Sequence, residues 1–463
     1  MSIENEISRA TQRIAAFDTE EKKTASQLDE IIARVKADYK NDNFDFSKIN
    51  TLVLHQLNKK RIVKQYEDPY STENILCQCC KQILDRSFKI KYPNRNRIIK
   101  NLFNTLPAAT QMSDFTIVKA DFQDYFNSIS STYVFEKYLS RNILDRQERD
   151  MLWAFTNKTQ YAYAGLSTSN AIAEIIALKF DASIRKEFYN NGLIYYERYI
   201  DDFIIMLNQY VEEDEIKKRL YRILDEIFSD HRVECDKKCK TKFNKNKFRY
   251  ISSRSLRKTP NTKSSFDFLG YEFWLENNSN KINIQYGITK EKRGKYNGRL
   301  DYLISLYTDQ NSYDYHNMEL LRHRILAFTS REVYITKKFN TTVWRVKGFI
   351  ANYSELRYFL DTDLLENDTK HFLEEMVEDA FNRAGLPLPY FMKGNSKIST
   401  RYNLFGNMKT NNTILLVDRI GYDYKSLVKL CKSVDISATD VNGVRRGYGT
   451  LVRDYLIKVK VGY

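Results

Sequence analysis

The most informative stretch of the sequence for the fold is Ile194-Tyr-Tyr-Glu-Arg-Tyr-Ile-Asp-Asp-Phe-Ile-Ile-Met-Leu207. It contains two runs of β-branched and aromatic residues, 194–199 and 203–207, with the adjacent acids Asp201 and Asp202 between them. Such residues favour β-strands, so the pattern predicts a hairpin that carries two carboxylates at its tip. The Asn-Gly or Asp-Gly pair that is typical of a tight hairpin turn is absent.

Adjacent carboxylates repel each other and raise each other's pKa unless a cation lies between them. A second β-favouring run, residues 115–120, ends at Asp121 and supplies a third acid from a distant part of the chain. Mg²⁺ prefers such oxygen ligands, and a two-metal phosphoryl-transfer site needs several of them at one point. We therefore predict that Asp121, Asp201 and Asp202 hold two Mg²⁺ ions, or Mn²⁺. The simpler alternative is that Asp201 and Asp202 form a solvated turn.

The composition narrows the function further. The 463 residues include 74 Lys and Arg against 59 acids, a formal net charge of +15. A basic chain of this size commonly binds nucleic acid, although a merely basic soluble surface is the alternative.

No run approaches the roughly 20 apolar residues that cross a bilayer, and no secretory signal begins the chain, so we expect a cytoplasmic protein without a membrane partner. The six cysteines are too few to suggest a disulfide scaffold and lack the paired spacing of a zinc site, so we expect reduced structural thiols.

Periodicity gives a coarse outline of the remaining elements. Residues 1–45 and 211–229 are expected to be helical, and an amphipathic helix with a break near Ser130 should follow Asp121. Residues 86–97 suggest a strand, a turn and then a strand or helix start. Further along, we expect a strand pair at 266–274, helices at 300–306, 320–328, 343–360 and 372–384, and a strand at 413–417.

Five landmarks in order resemble the motifs of reverse transcriptases, over about residues 85–275. Tyr199-Ile-Asp-Asp202 resembles their Tyr-x-Asp-Asp box, and Lys119-Ala-Asp-Phe-Gln-Asp-Tyr-Phe126 the aspartate motif that precedes it. The other three resemble the loop between these motifs, the later lysine motif and the primer-grip hairpin: Gly165-Leu-Ser-Thr-Ser-Asn170, Cys239-Lys-Thr241 and Phe268-Leu-Gly-Tyr-Glu-Phe273.

The resemblance implies an α+β right-hand polymerase with fingers and palm of the reverse-transcriptase type, a helical thumb and a mixed C-terminal extension. Basic residues of the thumb, Arg345 and Lys347 among them, would contact the phosphates of a duplex. The expected segments are an N-terminal helical segment at 1–45, fingers at 46–110, a palm with inserted finger elements at 111–280, the thumb at 281–365 and an extension of unknown role at 366–463.

The resemblance also assigns roles around the carboxylates. The Phe122 carbonyl would be a further metal ligand, and Phe126 would be the steric gate that excludes a 2′-hydroxyl and so favours dNTPs; the alternative for Phe126 is a core aromatic. Lys240 would act as a general acid toward pyrophosphate, although several lysines at 237–242 compete for this role.

Three further groups would contact the substrates. Arg95 and Arg97 would bind the triphosphate, for which Arg is well suited, or would be solvated surface residues. The nucleotide would also contact Gly165, Ser169, Asn170 and Tyr199. The primer grip would comprise Leu269, Gly270 and Tyr271.

Departures from the family pattern point to a subgroup. The loop reads Tyr163-Ala164-Gly165 where Pro-Gln-Gly is usual, and no RNase H acid set or Cys/His endonuclease module is recognisable. Such a chain resembles the bacterial defence-associated reverse transcriptases, which include the abortive-infection polymerases.

That resemblance implies an RNA-directed DNA polymerase that acts in antiviral defence and adds dNTPs to a 3′-hydroxyl or a protein hydroxyl, such as that of Tyr448, Tyr455 or Tyr463. Its partners would be an RNA template or a non-coding RNA, its DNA product, dNTPs, and a second copy or a second defence protein. Template-independent synthesis, a retron-like enzyme and a catalytically silent RNA-binding scaffold are the alternatives.

Overall fold

The computed structural model describes residues 2–17, 23–56, 59–259, 261–278, 281–309, 314–338, 341–393 and 399–461. The chain divides into two compact units, Met1–Thr259 and Pro260–Tyr463. Each unit has its own sheets and helices. The predicted limits of fingers, palm, thumb and extension stay predictions.

The first unit begins with helices. The predicted helical character of residues 1–45 is confirmed by α1 (Ile3–Phe17) and α2 (Ala25–Lys40), and Thr24 caps α2 by accepting from the Gln27 backbone N–H. The next elements are the antiparallel hairpin of β1 (Asn50–Gln56) and β2 (Lys59–Gln65), then α3 (Thr72–Phe88) and α4 (Arg95–Thr110).

The strand predicted at the start of residues 86–97 is wrong. Helix α3 extends to Phe88, because its buried face reaches Leu84, and Lys89 caps its C-terminal end in a left-handed conformation. The predicted helix start is confirmed, since Asn94 caps α4 and accepts from the Arg97 backbone N–H.

An antiparallel sheet forms the centre of the first unit. Its order is β4-β5-β3-β6, and β7 also pairs with β3. The predicted hairpin and the predicted strand before Asp121 are therefore confirmed. The strands are β3 (Thr116–Gln123), β4 (Leu193–Tyr199), β5 (Asp202–Leu207), β6 (Lys242–Phe243) and β7 (Arg249–Ser252).

Helices cover this sheet. The predicted break near Ser130 is confirmed, because α5 ends at Ser128 and α6 begins at Ser131. The predicted helix at 211–229 is α9. The helices are α5 (Tyr125–Ser128), α6 (Ser131–Val134), α7 (Arg146–Thr159), α8 (Ser169–Phe188), α9 (Glu213–Phe228) and α10 (Ser253–Lys258).

A cluster of aromatic rings fixes the end of β3. The buried ring of Phe122 lies 4.9–5.8 Å from its neighbours, which come from α5, α8, β5, α9 and β6: Tyr125, Phe180, Phe203, Phe228 and Phe243. Full burial of a Phe side chain contributes about 1.5–3 kcal/mol. The backbone next to Asp121 is thereby anchored to five other elements.

The described residues of the second unit form two sheets. In one, β8 (Lys263–Phe268), β9 (Tyr271–Asn278) and β10 (Lys281–Ile288) are antiparallel in the order β10-β9-β8. In the other, β11 (Arg331–Lys338) lies between antiparallel β12 (Thr341–Lys347) and parallel β13 (Thr413–Leu416). The helices are α11 (Lys290–Thr308), α12 (Tyr315–Thr329), α13 (Phe349–Asn352), α14 (Asn367–Arg383), α15 (Leu404–Thr410), α16 (Tyr424–Ser433) and α17 (Tyr448–Val459).

Most elements predicted in this unit are confirmed, namely the strand pair at 266–274, the helices at 300–306, 320–328 and 372–384, and the strand at 413–417. The helix predicted at 343–360 is wrong in its first half. Residues 341–347 form β12, because the β-branched and aromatic side chains of Val343, Trp344 and Val346 suit a strand paired with β11. Arg345 and Lys347 therefore lie on a strand. Within the described ranges, no helix is both long and apolar enough to span a bilayer.

Candidate active site

Strand pairing brings the three predicted acids to one place. Asp121 on β3 lies directly opposite Asp202 on β5 in the antiparallel register. The Phe122 backbone N–H donates to the Asp201 carbonyl at 3.0 Å, so the chain next to Asp121 is joined to the hairpin tip. The juxtaposition expected from the sequence is therefore present. Binding of metal by these residues stays a prediction.

The hairpin tip is a two-residue turn. Tyr199 pairs with Asp202, and only Ile200 and Asp201 connect the strands. Ile200 has a φ of +60°, a left-handed conformation that costs a β-branched residue about 1–3 kcal/mol. Turns of this length ordinarily use Gly or Asn at such a position. Because this turn has neither Gly nor Asn at that position, other contacts must stabilise the left-handed conformation of Ile200.

Burial and mutual repulsion alter the acidity of the adjacent acids. The pKa of Asp202 is raised to about 7, chiefly by burial; the charge of Lys119 opposes this shift, and the charges of Asp121 and Asp201 contribute to it. Burial, followed by the charge of Asp121, also raises the pKa of Asp201. Both shifts disfavour the anions, and a cation beside the carboxylates would stabilise the anions and lower both pKa values.

Two lysines supply positive charge at this place. The Lys119 ammonium lies 3.1 Å from Asp202 Oδ1, and that of Lys247 lies 2.7 Å from Asp121 Oδ2. Lys119 is only 1% exposed, and it lies two residues before Asp121, on the same face of β3 and diagonal to Asp202. Neither lysine was assigned a role from the sequence. The two-residue period of a strand would have pointed to Lys119, whereas nothing local marks Lys247.

The carboxylate oxygens of Asp121, Asp201 and Asp202 suit a cation, but the three side chains do not already form a coordination site. Among the described residues, no group of three His, Cys, Asp or Glu side chains is arranged as a ready metal site. The ammonium groups of Lys119 and Lys247 each lie against one carboxylate oxygen. Asp202 Oδ1 is fully buried, and its ion pair with Lys119 lacks the geometry of a hydrogen bond. A hard cation such as Mg²⁺ suits these oxygens.

Lys247→Ala is expected to tighten divalent-cation binding. Its ammonium competes for Asp121 Oδ2, and the Lys247 side chain is 51% exposed, so the ion pair contributes about 0.2–1 kcal/mol and its loss should lower the Mn²⁺ dissociation constant by roughly 1.5- to 5-fold. Titration of Mn²⁺ without nucleotide measures the change. Lys240→Ala is the control and should leave the constant unchanged; weaker binding in Lys247→Ala would contradict the competition.

Lys240 does not reach the carboxylates in this structure. Its backbone N–H donates to the Ser128 carbonyl, and its exposed side chain places the ammonium 5.4 Å from the ring centroid of Tyr161. Lys247 lies closest to Asp121 instead. The general-acid role predicted for Lys240 stays a prediction.

The loop before α8 is hydrogen-bonded to the hairpin of β1 and β2. The Lys64 backbone N–H donates to the Ala164 carbonyl at 2.7 Å, and the Lys64 ammonium lies 3.5 Å from the ring centroid of Tyr163. Ser169 donates its hydroxyl to the Tyr163 carbonyl. Gly165 is exposed, with a φ of +107°, and a Cβ there would lie 2.4 Å from the Lys64 carbonyl oxygen. The structure therefore gives Gly165 and Ser169 roles within the loop itself.

Gly165→Ala is expected to destabilise the protein by about 1–3 kcal/mol and to raise the KM for dNTP. The added methyl group would displace the loop from Lys64, and Asn170 lies in the first turn of α8, just beyond this loop. Thermal unfolding and dNTP titration measure both effects. Gly298→Ala is the control, because its Cβ would meet open space; equal stability of the two variants would contradict the steric explanation.

The other predicted nucleotide contacts belong to the same unit. Phe126 is half-buried on α5, with its ring 5.8 Å from that of Tyr125, and Tyr199 is half-buried at the end of β4. Arg95 begins α4, and Arg97 is exposed in its first turn, where its charge lowers the pKa of Glu197 against the larger, raising effect of burial. Their contacts with a nucleotide stay predictions.

The predicted primer grip lies in the second unit. Leu269 and Gly270 form a two-residue turn between β8 and β9, and both have positive φ, as type I′ turns require. Tyr271 is buried, and its hydroxyl donates to the Asn352 carbonyl at 3.1 Å. The turn itself is confirmed as part of the predicted strand pair, while contact with a primer stays a prediction.

Comparison with known proteins identifies the family. The model of the family described as "Reverse transcriptase (RNA-dependent DNA polymerase)" matches residues 41–273, half of the chain. The chain therefore belongs to the reverse transcriptase family, and its domain is that of a nucleotidyltransferase with an α+β right-hand fold. This range includes Asp121, Asp201 and Asp202.

A similar solved structure is that of telomerase from Candida albicans with a fragment of telomeric RNA. The match has 11% identity and a TM-score of 0.33, and covers 52% of this chain and 45% of the telomerase chain. The chain thus spans less than half the length of that protein. No curated protein matches the sequence.

Proposed function

We propose that the protein is an RNA-directed DNA polymerase that joins dNTPs to a 3′-hydroxyl with the help of divalent cations at Asp121, Asp201 and Asp202. The observation that carries the proposal is the pairing of Asp121 with Asp202 next to the Asp201 carbonyl, within the range that matches the reverse transcriptase family. Carboxylates at the ends of neighbouring strands are the ligands that this chemistry needs.

Two Mg²⁺ ions, or Mn²⁺, would be held by the three carboxylates, with the Phe122 carbonyl as a further ligand. Bound there, they would lower the pKa of the attacking 3′-hydroxyl and neutralise charge on the leaving pyrophosphate. The raised pKa values of Asp201 and Asp202 support cation binding, because a divalent ion would relieve the repulsion that contributes to them.

We further propose that an RNA is both template and stable partner and that the protein acts in bacterial antiviral defence. The net charge of +15 suits a polyanionic partner. The loop has Ala164 in place of the usual Gln, and the Lys64 backbone N–H donates to the Ala164 carbonyl. This departure supports membership of the defence-associated subgroup. Residues 274–463 lie beyond the family match, which leaves room for an RNA-binding or protein-binding role, including contact with a second copy.

A protein hydroxyl as primer finds little support at two of the tyrosines considered. Tyr455 is 1% exposed, and its hydroxyl lies 3.0 Å from His323 Nδ1. Tyr448 donates its hydroxyl to the Tyr422 carbonyl at 2.7 Å. Tyr463 lies outside the described residues. A nucleic-acid 3′-hydroxyl is therefore the primer that we propose.

Two experiments test the proposed function. Sequencing of nucleic acids that co-purify with the protein should recover a discrete RNA species together with complementary DNA. Primer extension with the purified protein should require an RNA template, dNTPs and Mg²⁺. DNA without a complementary RNA would indicate template-independent synthesis. Bound RNA without any nucleotide incorporation would indicate a silent scaffold and overturn the proposal.

A further inference from the structure

Arg198 is the residue before Tyr199, and its side chain is almost completely buried behind the Asp201–Asp202 hairpin. The side chain is 4% exposed, and the Glu174 side chain is 7% exposed. An Arg side chain has five N–H donors in a fixed planar arrangement. In this structure all five donate hydrogen bonds, four to carboxylates on α8 and one to the hairpin turn.

Two carboxylates on α8, those of Glu174 and Asp181, hold the Arg198 side chain. Arg198 Nη1 and Nη2 donate to the two oxygens of Glu174 at 3.1 and 2.7 Å. Its Nε and Nη2 donate to the two oxygens of Asp181 at 2.9 and 3.1 Å. Paired N–H···O bonds of this kind fix the plane of the guanidinium as well as its position. Since α8 is a 20-residue helix, the guanidinium is attached to a rigid support.

The remaining bond reaches the turn. Arg198 Nη1 donates to the Ile200 carbonyl at 2.9 Å. Ile200 is the residue with the left-handed backbone conformation, immediately before Asp201. A charge-assisted bond from a buried donor is the strong type of hydrogen bond, and it acts on the peptide that determines where the Asp201 carboxylate is placed.

We propose that Arg198 is a positioning residue that holds the Ile200 peptide, and through it Asp201 and Asp202, in the conformation that catalysis and cation binding require. The inference rests on the proposed polymerase function and deepens it. A guanidinium is needed because one group must hold two carboxylates and a carbonyl in one plane. An ammonium has three donors on a single atom and cannot reproduce that arrangement.

Arg198→Lys is the first test. It keeps the positive charge among the buried acids but loses the planar set of donors. We expect kcat for dNTP incorporation to fall by about 10- to 100-fold, since small misplacements of reacting groups have effects of this size, while the KM for dNTP stays unchanged. The Mn²⁺ dissociation constant, measured without nucleotide, should rise.

Tyr196→Phe is the matched control. The Tyr196 hydroxyl donates to the same Asp181 carboxylate at 2.6 Å but does not contact the turn. If Arg198 were merely a structural anchor, both variants would lose activity in proportion to lost stability. We expect Tyr196→Phe to keep the wild-type kcat and Mn²⁺ affinity.

Ile200→Gly provides the decisive second variant. Glycine adopts the left-handed conformation without steric cost, so the turn should depend less on the bond from Arg198. Adding Ile200→Gly to Arg198→Lys should therefore restore kcat by at least about threefold, a coupling expected only of residues that act on one another. Should Arg198→Lys not fold, Glu174→Gln weakens the same anchor, and the same rescue is expected.

The possible outcomes separate the inference from the proposed function. If the wild-type protein incorporates no dNTP, the polymerase proposal fails, and the Mn²⁺ affinities still test the positioning of the turn. If the wild-type protein is active but Arg198→Lys matches it in kcat and Mn²⁺ affinity, the inference is overturned. Absence of rescue by Ile200→Gly would also overturn it.

Discussion

Asp201→Asn is expected to lower dNTP incorporation by at least about 10³-fold, a loss of ~4 kcal/mol of transition-state stabilisation, while the protein stays as stable as the wild type or becomes slightly more stable. The ionised form of Asp201 is disfavoured by burial and by the charge of Asp121, because both raise its pKa. Replacing the carboxylate with a neutral amide of the same shape removes that repulsion, and it also removes a ligand for the cations.

Replacement of Asp202 should lower dNTP incorporation as replacement of Asp201 does, but it should change the stability of the protein differently. Asp202→Ala is expected to abolish incorporation and also to destabilise the fold, since it removes the ion-pair partner of the buried Lys119 ammonium. Asp225→Asn, which neutralises an exposed acid on α9, is the control and should change neither quantity. Primer extension and thermal unfolding are the measurements. Retained synthesis in Asp201→Asn would contradict the metal-ligand assignment.

Phe126→Ala is expected to lower the preference for dNTPs over rNTPs by about 10- to 200-fold, the range in which a pocket discriminates by fit alone. Phe126 is half-buried at the start of the helix that follows the aspartate strand. A ring in that position would abut the C2′ atom of a nucleotide bound at the carboxylates. Removal of the ring should make room for a 2′-hydroxyl, so rNTPs should be incorporated.

The alternative for Phe126 is a core aromatic, and a matched variant separates the two roles. Tyr125→Phe keeps the neighbouring ring and removes only its hydrogen bond to the Ala173 carbonyl. It should lose some stability and leave sugar selectivity unchanged. Competition between dNTPs and rNTPs in single-nucleotide extension gives the ratio. If Phe126→Ala lost stability but kept its selectivity, the ring would be a packing residue and the gate assignment would fail.

The hairpin and its acids could be predicted because they are local. The runs of Ile, Tyr and Phe residues favour strands, and the position of Asp201 and Asp202 between the two runs places them at the tip. The partnership with Asp121 was predicted because a second β-favouring run ends in an acid, and the resemblance to reverse transcriptases supported it. Local sequence does not show the pairing itself, since β3 and β5 come from distant parts of the chain. The conformation of Ile200 could not be predicted, because its sequence gives no Gly or Asn to mark it.

The contacts that could not be predicted join residues that are far apart in the sequence. Lys247 is 126 residues from Asp121 along the chain and reaches it from the turn after β6. Nothing in the basic stretch around Lys240 distinguishes one lysine from another. The error at 343–360 has a similar origin, because β12 is a strand through its pairing with β11, and its short apolar run does not by itself separate helix from strand.

The proposed chemistry requires that Asp121, Asp201 and Asp202 share divalent cations at one point of the fold. A crystal structure of the protein grown with Mn²⁺ and a non-hydrolysable dNTP tests it most directly, through the anomalous signal of manganese. We expect density for the ion about 2.1 Å from carboxylate oxygens of Asp121 and of the Asp201–Asp202 pair, with the Lys247 ammonium moved away from Asp121. A nucleotide-bound structure in which Lys247 still contacts Asp121 and no manganese lies at the three carboxylates would contradict the proposed chemistry.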